Sequence, residues 1–203
     1  MKIICIGRNY PQHAEELGND KPESPVVFIK PDTAKLQKRL PFYIPPFSNQ
    51  IQHEVEVLVK INRIGKCIEE KFAHKYYQEI GLGIDFTARD LQKHLKQNGL
   101  PWEKAKAFDG SALIGNWFTK DHFTDLNQLD FELKKNGAVI QEGNTSEMLW
   151  SIESLIAEVS RFFTLKIGDV IFTGTPAGVG PVYPNDILEG SLEGEKAFKV
   201  KIK

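Results

Sequence analysis

The stretch Gln52-His53-Glu54-Val55-Glu56-Val57-Leu58-Val59 alternates with a period of two. A strand points every second side chain to the same face, so Glu54, Glu56 and Leu58 share one face while Val55, Val57 and Val59 share the other. Two strand rises separate Glu54 from Glu56, about 7 Å, close enough for both carboxylates to converge on one hard cation. An amphipathic strand with a solvated glutamate face explains the same pattern. Leu58 weakens that explanation, because it continues the glutamate face, which is therefore not simply wet.

Outward from this strand, short runs rich in Val, Ile and Phe recur at 2–6, 26–29, 129–133, 169–173 and 197–202. Asn136-Gly137 falls between two strand-like runs and reads as a hairpin turn. Helical periodicity is confined to about 11–17, 88–98 and 150–161. In the second of these, Thr87 and Asp90 have capping-box spacing, and Gly99 and Pro101 close the helix. Strands outnumber helices and do not alternate with them, which predicts an α+β, mostly β fold. No linker or internal repeat interrupts the chain, so residues 1–203 are expected to form one domain.

Composition narrows the function classes. The 26 Lys+Arg residues nearly balance 27 Asp+Glu, which argues against a nucleic-acid partner. No run approaches 18 apolar residues, so no membrane span is expected. MKIICIG is too short an apolar run for a signal peptide, and Cys5 and Cys67 have no metal-ligand or disulfide spacing. A reducing, cytoplasmic location is the expectation.

Further candidates lie downstream. Asp85 falls where a short apolar run gives way to a helix, and Arg89 and Gln92, three apart, share a helix face. The helix start itself offers N–H groups and a positive dipole end to a substrate carboxylate. A turn residue and a surface charge are the plain alternatives. Lys106 follows; three carboxylates around a divalent ion leave a charge of about −1, which an anionic substrate worsens unless a buried cation compensates. Thr173-Gly174-Thr175-Pro176-Ala177-Gly178-Val179-Gly180 fits neither the Walker nor the G-x-G-x-x-G pattern. It leaves a loop where a ligand can approach the backbone, with Thr175 as a hydroxyl donor, or an ordinary tight turn. Near the start, His13 and Glu16 are i, i+3 neighbours, a possible general-base pair or a plain surface pair.

Taken in order, these segments resemble the fumarylacetoacetate hydrolase family. The matching pieces are Gly7-Arg8-Asn9-Tyr10 with His13, Phe28-Ile29-Lys30-Pro31, His53-Glu54-Val55-Glu56, and Asp85 through Gln92. Gly99-Leu100-Pro101-Trp102 leading to Lys106, Asn136-Gly137 with Gln141, and Thr173 through Gly180 complete the series. The resemblance implies a catalytic domain with a rolled mixed β-sheet and few short helices, working as a homodimer. It implies Mg²⁺ or Mn²⁺ held by Glu54, Glu56 and Asp85, with Lys106 beside metal and substrate. His13 and Glu16 match an acid–base pair on a lid, here about residues 8–22, and Arg89, Gln92 and Thr175 match substrate-contacting positions. The closest likeness is to the short acylpyruvase and oxaloacetate decarboxylase members.

The implied activity is metal-dependent C–C bond hydrolysis or decarboxylation of 2-oxo acids (acylpyruvates or oxaloacetate), releasing pyruvate. An isomerase of 2-hydroxyhepta-2,4-diene-1,7-dioate-like or keto–enol substrates is the alternative within the family, and a non-catalytic metal-binding protein the alternative outside it. Two segments depart from the family pattern: residues 32–50, with Lys35, Lys38 and Arg39, and Ser111-Ala112-Leu113-Ile114-Gly115. Both are expected to alter the pocket wall without touching a metal ligand.

Overall fold

The computed structural model describes residues 1–12 and 22–203. Its strands are β1 (Ile3–Gly7), β2 (Val26–Lys30), β3 (Ile51–His53), β4 (Val55–Ile61), β5 (Tyr77–Asp85), β6 (Thr87–Ala88) and β7 (Ala112–Thr119). They continue with β8 (Asp130–Lys135), β9 (Ala138–Asn144), β10 (Val170–Phe172), β11 (Gly180–Pro181), β12 (Ile187–Leu192) and β13 (Glu195–Lys201). Four short helices are described: α1 (Glu70–Ala73), α2 (Arg89–Gln97), α3 (Glu103–Lys106) and α4 (Ile152–Phe162). The α+β, mostly β expectation is met.

The main sheet has the order β2-β1-β10-β4-β5-β7 and is mixed, because β1 runs parallel to β10 while its other neighbours pair antiparallel. Both faces are covered, and the alternation of β4 is the reason. Val55, Val57 and Val59 enter the large core with Ile4, Ile6 and Ile171. On the opposite face Leu58 is wholly buried with Ile3, Cys5, Val170 and Phe172. A solvated glutamate face is thereby ruled out. Leu58 reports a second, smaller core, and Glu54 and Glu56 sit at its end with only 5% and 2% of their surface exposed.

The alternating stretch from Gln52 to Val59 divides at Glu54. Residues Ile51–His53 belong to a separate three-stranded sheet, β11-β3-β6, and Val55 onward belongs to the main sheet. In the small sheet His53 pairs with Gly180 and Gln52 with Thr87. Three segments far apart in sequence therefore meet at one seam.

A four-stranded sheet, β13-β12-β8-β9, completes the fold. Asn136 (φ 53°) and Gly137 (φ 87°) form its β8–β9 turn, as two residues with positive φ should. α4 opens on Ser151, whose side chain accepts from Ser154 N, and its periodic apolar residues are buried as expected. The helix expected over 11–17 lies largely outside the described residues. No helix among the described residues is long and apolar enough to cross a membrane.

Candidate metal centre and substrate cavity

Glu54 stands at the seam, Glu56 one alternation along β4, and Asp85 at the last residue of β5. Asp85 N–H donates to Glu54 O (2.8 Å), so the main chain brings these two carboxylates side by side. One carboxylate oxygen from each of the three residues lies within 4.8 Å of the others. An all-oxygen donor set of this kind suits a hard divalent cation.

Electrostatics supports the fit. Burial pushes the Glu56 carboxyl well above the usual range, and the neighbouring charges of Asp85 and Glu54 push it further; Lys106 and the Gly174 N–H act the other way. Gly174 N donates to Glu56 Oε2 (2.7 Å), yet no cation among the described residues is ion-paired with Glu56. A cation centred on the three residues is what would hold Glu56 ionised.

Lys106 closes the other side. Its Nζ donates to Glu54 Oε2 (2.6 Å), Asp85 Oδ2 (2.8 Å) and Thr87 Oγ1 (2.6 Å), and lies 5.4 Å from the centre of the Phe28 ring. Burial alone would lower its pKa, but Asp85 and Glu54 outweigh that and raise it above the ordinary lysine value. Lys106 is therefore a fixed ammonium, a donor and a positive charge rather than a base.

Arg89 is held by Glu54 through Nη2, by Gln52 Oε1 through Nε (2.6 Å) and by Gln92 Oε1 through Nη1 (2.7 Å). Thr175 Oγ1 accepts from Gln141 Nε2 (3.0 Å), which leaves its own proton to donate. Gln141 also donates from Nε2 to Pro176 O and accepts at Oε1 from Val55 N–H and His53 Nδ1, so it ties the seam to the Thr175 loop. Burial depresses the His53 pKa and keeps the imidazole neutral beside the site, although the Gln141 contact acts the other way. In the same loop Gly174 has φ 103°, and a Cβ there would lie 2.8 Å from the Asn9 Cβ, so glycine is required. Asn9 clamps the strand ends, donating to Thr173 O (2.8 Å) and accepting from Trp150 N (2.9 Å).

The three carboxylates, Arg89, Gln92, Lys106 and Thr175 wall a cavity of about 290 Å³ that Arg8, Phe28, Lys96 and Trp102 also line. Glu54, Glu56, Asp85, Arg89, Gln92, Lys106 and Thr175 thus meet in one place, as expected. His13 and Glu16, and most of the lid expected over 8–22, lie outside the described residues.

Three expectations change. Thr87 and Asp90 form no capping box: Thr87 turns its hydroxyl to Lys106, and Asp90 accepts from Ser48 Oγ, Asn49 N and Leu91 N. The start of α2 does not offer its first N–H to a ligand, because Arg89 N donates to Gln50 O. Residues 32–50 line surface grooves and none lines this cavity, while Ser111 supports the site from behind. The buried cation expected to compensate the triad is present in Lys106; Arg8, Arg89 and Lys96 also line the cavity among the described residues.

Sequence reasoning missed Lys30. It is wholly buried, donates to Ser111 O (3.1 Å) and Oγ (3.0 Å), and sets its ammonium 2.6 Å from Asp85 Oδ1 as an ion pair. Ser111 Oγ in turn donates to Lys106 O (2.9 Å), so one serine supports both lysines. A lysine at the buried end of a Val-Val-Phe-Ile run was the available signal.

Comparison with known proteins agrees with this geometry. The fumarylacetoacetate hydrolase C-terminal family matches residues 2–201. The chain belongs to the fumarylacetoacetate hydrolase family. It is 42% identical over 194 residues to the oxaloacetate tautomerase YcgM of Escherichia coli, covering 95% of this chain and 89% of that protein. It is 40% identical over 194 residues to a mitochondrial oxaloacetate decarboxylase of Dictyostelium discoideum, covering 95% and 89%. The crystal structure of fumarylpyruvate hydrolase from Pseudomonas aeruginosa, in complex with Mn²⁺ and pyruvate, superposes with a TM-score of 0.93. That match has 32% identity and covers 100% of this chain and 89% of that one. Family membership makes the chain an enzyme of the fumarylacetoacetate hydrolase type, and the non-catalytic alternative is set aside.

Proposed function

We propose that the chain is a divalent-metal-dependent enzyme that breaks a C–C bond in small 2-oxo acids, oxaloacetate or an acylpyruvate, and releases pyruvate. The observation that carries this reading is the buried triad of Glu54, Glu56 and Asp85 with the ammonium of Lys106 bonded to two of its members. Mg²⁺ or Mn²⁺ held by the triad would supply Lewis acidity to the carboxylate and 2-keto oxygens of the substrate.

The chain's own groups do the rest. Arg89 and Gln92 orient the substrate carboxylate, and Lys106 places a fixed positive charge beside the oxygen that gains electron density. The Thr175 hydroxyl donates to a substrate oxygen. In decarboxylation of oxaloacetate, the C3–C4 bond breaks, CO₂ leaves, and the electron pair remains as the pyruvate enolate until C3 is protonated. In acylpyruvate hydrolysis, water activated by His13 with Glu16 adds to the distal carbonyl, and pyruvate leaves as the same enolate. Both residues take this role from the family resemblance, on a lid over 8–22. The second reading is keto–enol tautomerisation, in which a proton moves between C3 and the 2-oxygen; the activity named for the E. coli relative favours it.

A single catalytic domain over 1–203 is supported by two cores that share one sheet. A homodimer is supported by exposed Leu40, Tyr43 and Phe47, with Phe47 beside an apolar groove. A reducing, cytoplasmic setting is supported by the unpaired Cys5 and Cys67.

A 2-oxo-acid panel run with Mg²⁺ and with Mn²⁺, following pyruvate, CO₂ and enol separately, tests the reading. Turnover of oxaloacetate or an acylpyruvate is expected, with a loss of more than about 100-fold in Glu56→Ala. A folded, metal-loaded sample that turns over no member of the panel overturns it.

A further inference from the structure

Lys96 is an odd neighbour for the cavity it lines. It lies on α2, seven residues after Arg89 and four after Gln92, so all three project from one face of the helix. At about 1.5 Å of rise per residue, Lys96 stands roughly 6 Å beyond Gln92 and 10 Å beyond Arg89. Arg89 bonds Glu54 at the carboxylate triad, so the helix carries a row of polar groups away from that triad along the cavity wall.

No carboxylate among the described residues pairs with Lys96. Its Nζ lies 5.4 Å from the centre of the Trp102 ring, and Trp102 lines the same cavity. Burial lowers its pKa, and the nearby charges of Arg8, Arg89 and Lys106 lower it further, while Glu54 acts the other way.

We propose that Lys96, seated against Trp102 in the cavity wall further along the helix from Arg89, binds a second carboxylate at the far end of the substrate and so selects dicarboxylic over monocarboxylic 2-oxo acids. The inference rests on the 2-oxo acid reading above. In oxaloacetate the second carboxylate is the group lost as CO₂, so Lys96 acts there in binding and must release it. In a carboxylate-terminated acylpyruvate that group stays on the acid product.

Calorimetry on Mn²⁺-loaded protein with pyruvate and with 2-oxoglutarate isolates the effect, because the two ligands share the 2-oxo acid end and differ at the far one. Wild-type protein is expected to bind 2-oxoglutarate more tightly. In Lys96→Met that preference falls about tenfold, as loss of a charge-assisted hydrogen bond predicts, and in Lys96→Arg it stays within about threefold of wild type. With oxaloacetate as substrate, Lys96→Met raises KM more than it lowers kcat. A Lys96→Met preference equal to that of wild type overturns the inference, and so does an equal loss on both ligands. Wild-type protein that binds neither ligand sinks the 2-oxo acid reading and this inference with it.

Discussion

Lys30 and Lys106 both touch Asp85, but they face different surroundings. Lys106 lines the cavity, where a ligand can answer its charge, whereas Lys30 is buried behind Asp85 and, among the described residues, answered by Asp85 and Ser111. A buried ion pair adds little net stability, but removing one partner leaves the other charged and dry. Lys30→Met is therefore expected to lower unfolding stability by about 3 kcal/mol, with Lys106 still bonded to Asp85 limiting the loss. Urea titration of the metal-free protein checks this: the midpoint should fall at constant slope, and a loss below about 1 kcal/mol contradicts it.

Among the elements, β4 was legible because its period of two sorts Glu54, Glu56 and Leu58 onto one face without any tertiary knowledge. α2 was legible from its spacing and stop signals, and α4 from its spacing. β5 escaped notice because Gly81 and Gly83 dilute its apolar run, and both glycines are there for close approach to β7: a Cβ on Gly83 would lie 2.2 Å from Leu113 O. The capping-box spacing misled because Thr87 had a stronger partner in Lys106, far off in sequence. Lys30 escaped because one buried lysine cannot be told from a solvated one until Asp85 is beside it.

The β1–β10 pairing carries its own titration. Asp169, just before β10, accepts from Lys2 N (2.8 Å), Lys2 Nζ (2.5 Å) and Lys166 N (2.8 Å). Burial would raise its pKa, but these bonds prevail and hold it below the ordinary carboxylate value. A depressed folded-state pKa stabilises the fold above the unfolded value, about 3.9, and that contribution disappears as pH falls through the folded value. Asp169→Asn should therefore be less stable than wild type by about 1–2 kcal/mol at pH 7. The two stabilities should converge as the pH is taken below about 3.9, in parallel denaturant titrations. A gap that stays constant down to acid unfolding would contradict this account.

At the scale of the whole molecule, near-equal totals of 26 basic and 27 acidic residues conceal a cavity where Arg8, Arg89, Lys96 and Lys106 gather around three carboxylates among the described residues. Sequence motifs named most of the groups in it, but Lys96 joins the site only through packing. The surface carries a second whole-molecule statement in Leu40, Tyr43 and Phe47, each at least half exposed on one short segment. Burial of that segment between two copies predicts a solution mass of about twice 23.0 kDa by light scattering. Tyr43→Glu with Phe47→Glu should shift it toward 23.0 kDa. A wild-type mass of one chain would exclude the dimer.

The division of one continuous stretch between two sheets at Glu54 makes that residue a phase marker for everything around it. Strand geometry keeps no memory except parity, so adding or removing a single residue between Ile51 and Ile61 would exchange the valine layer for the glutamate layer downstream. Length in this stretch is thus a chemical quantity: it decides whether acid or hydrocarbon faces the cavity. Loops elsewhere have room to grow, but this ruler has one permitted reading.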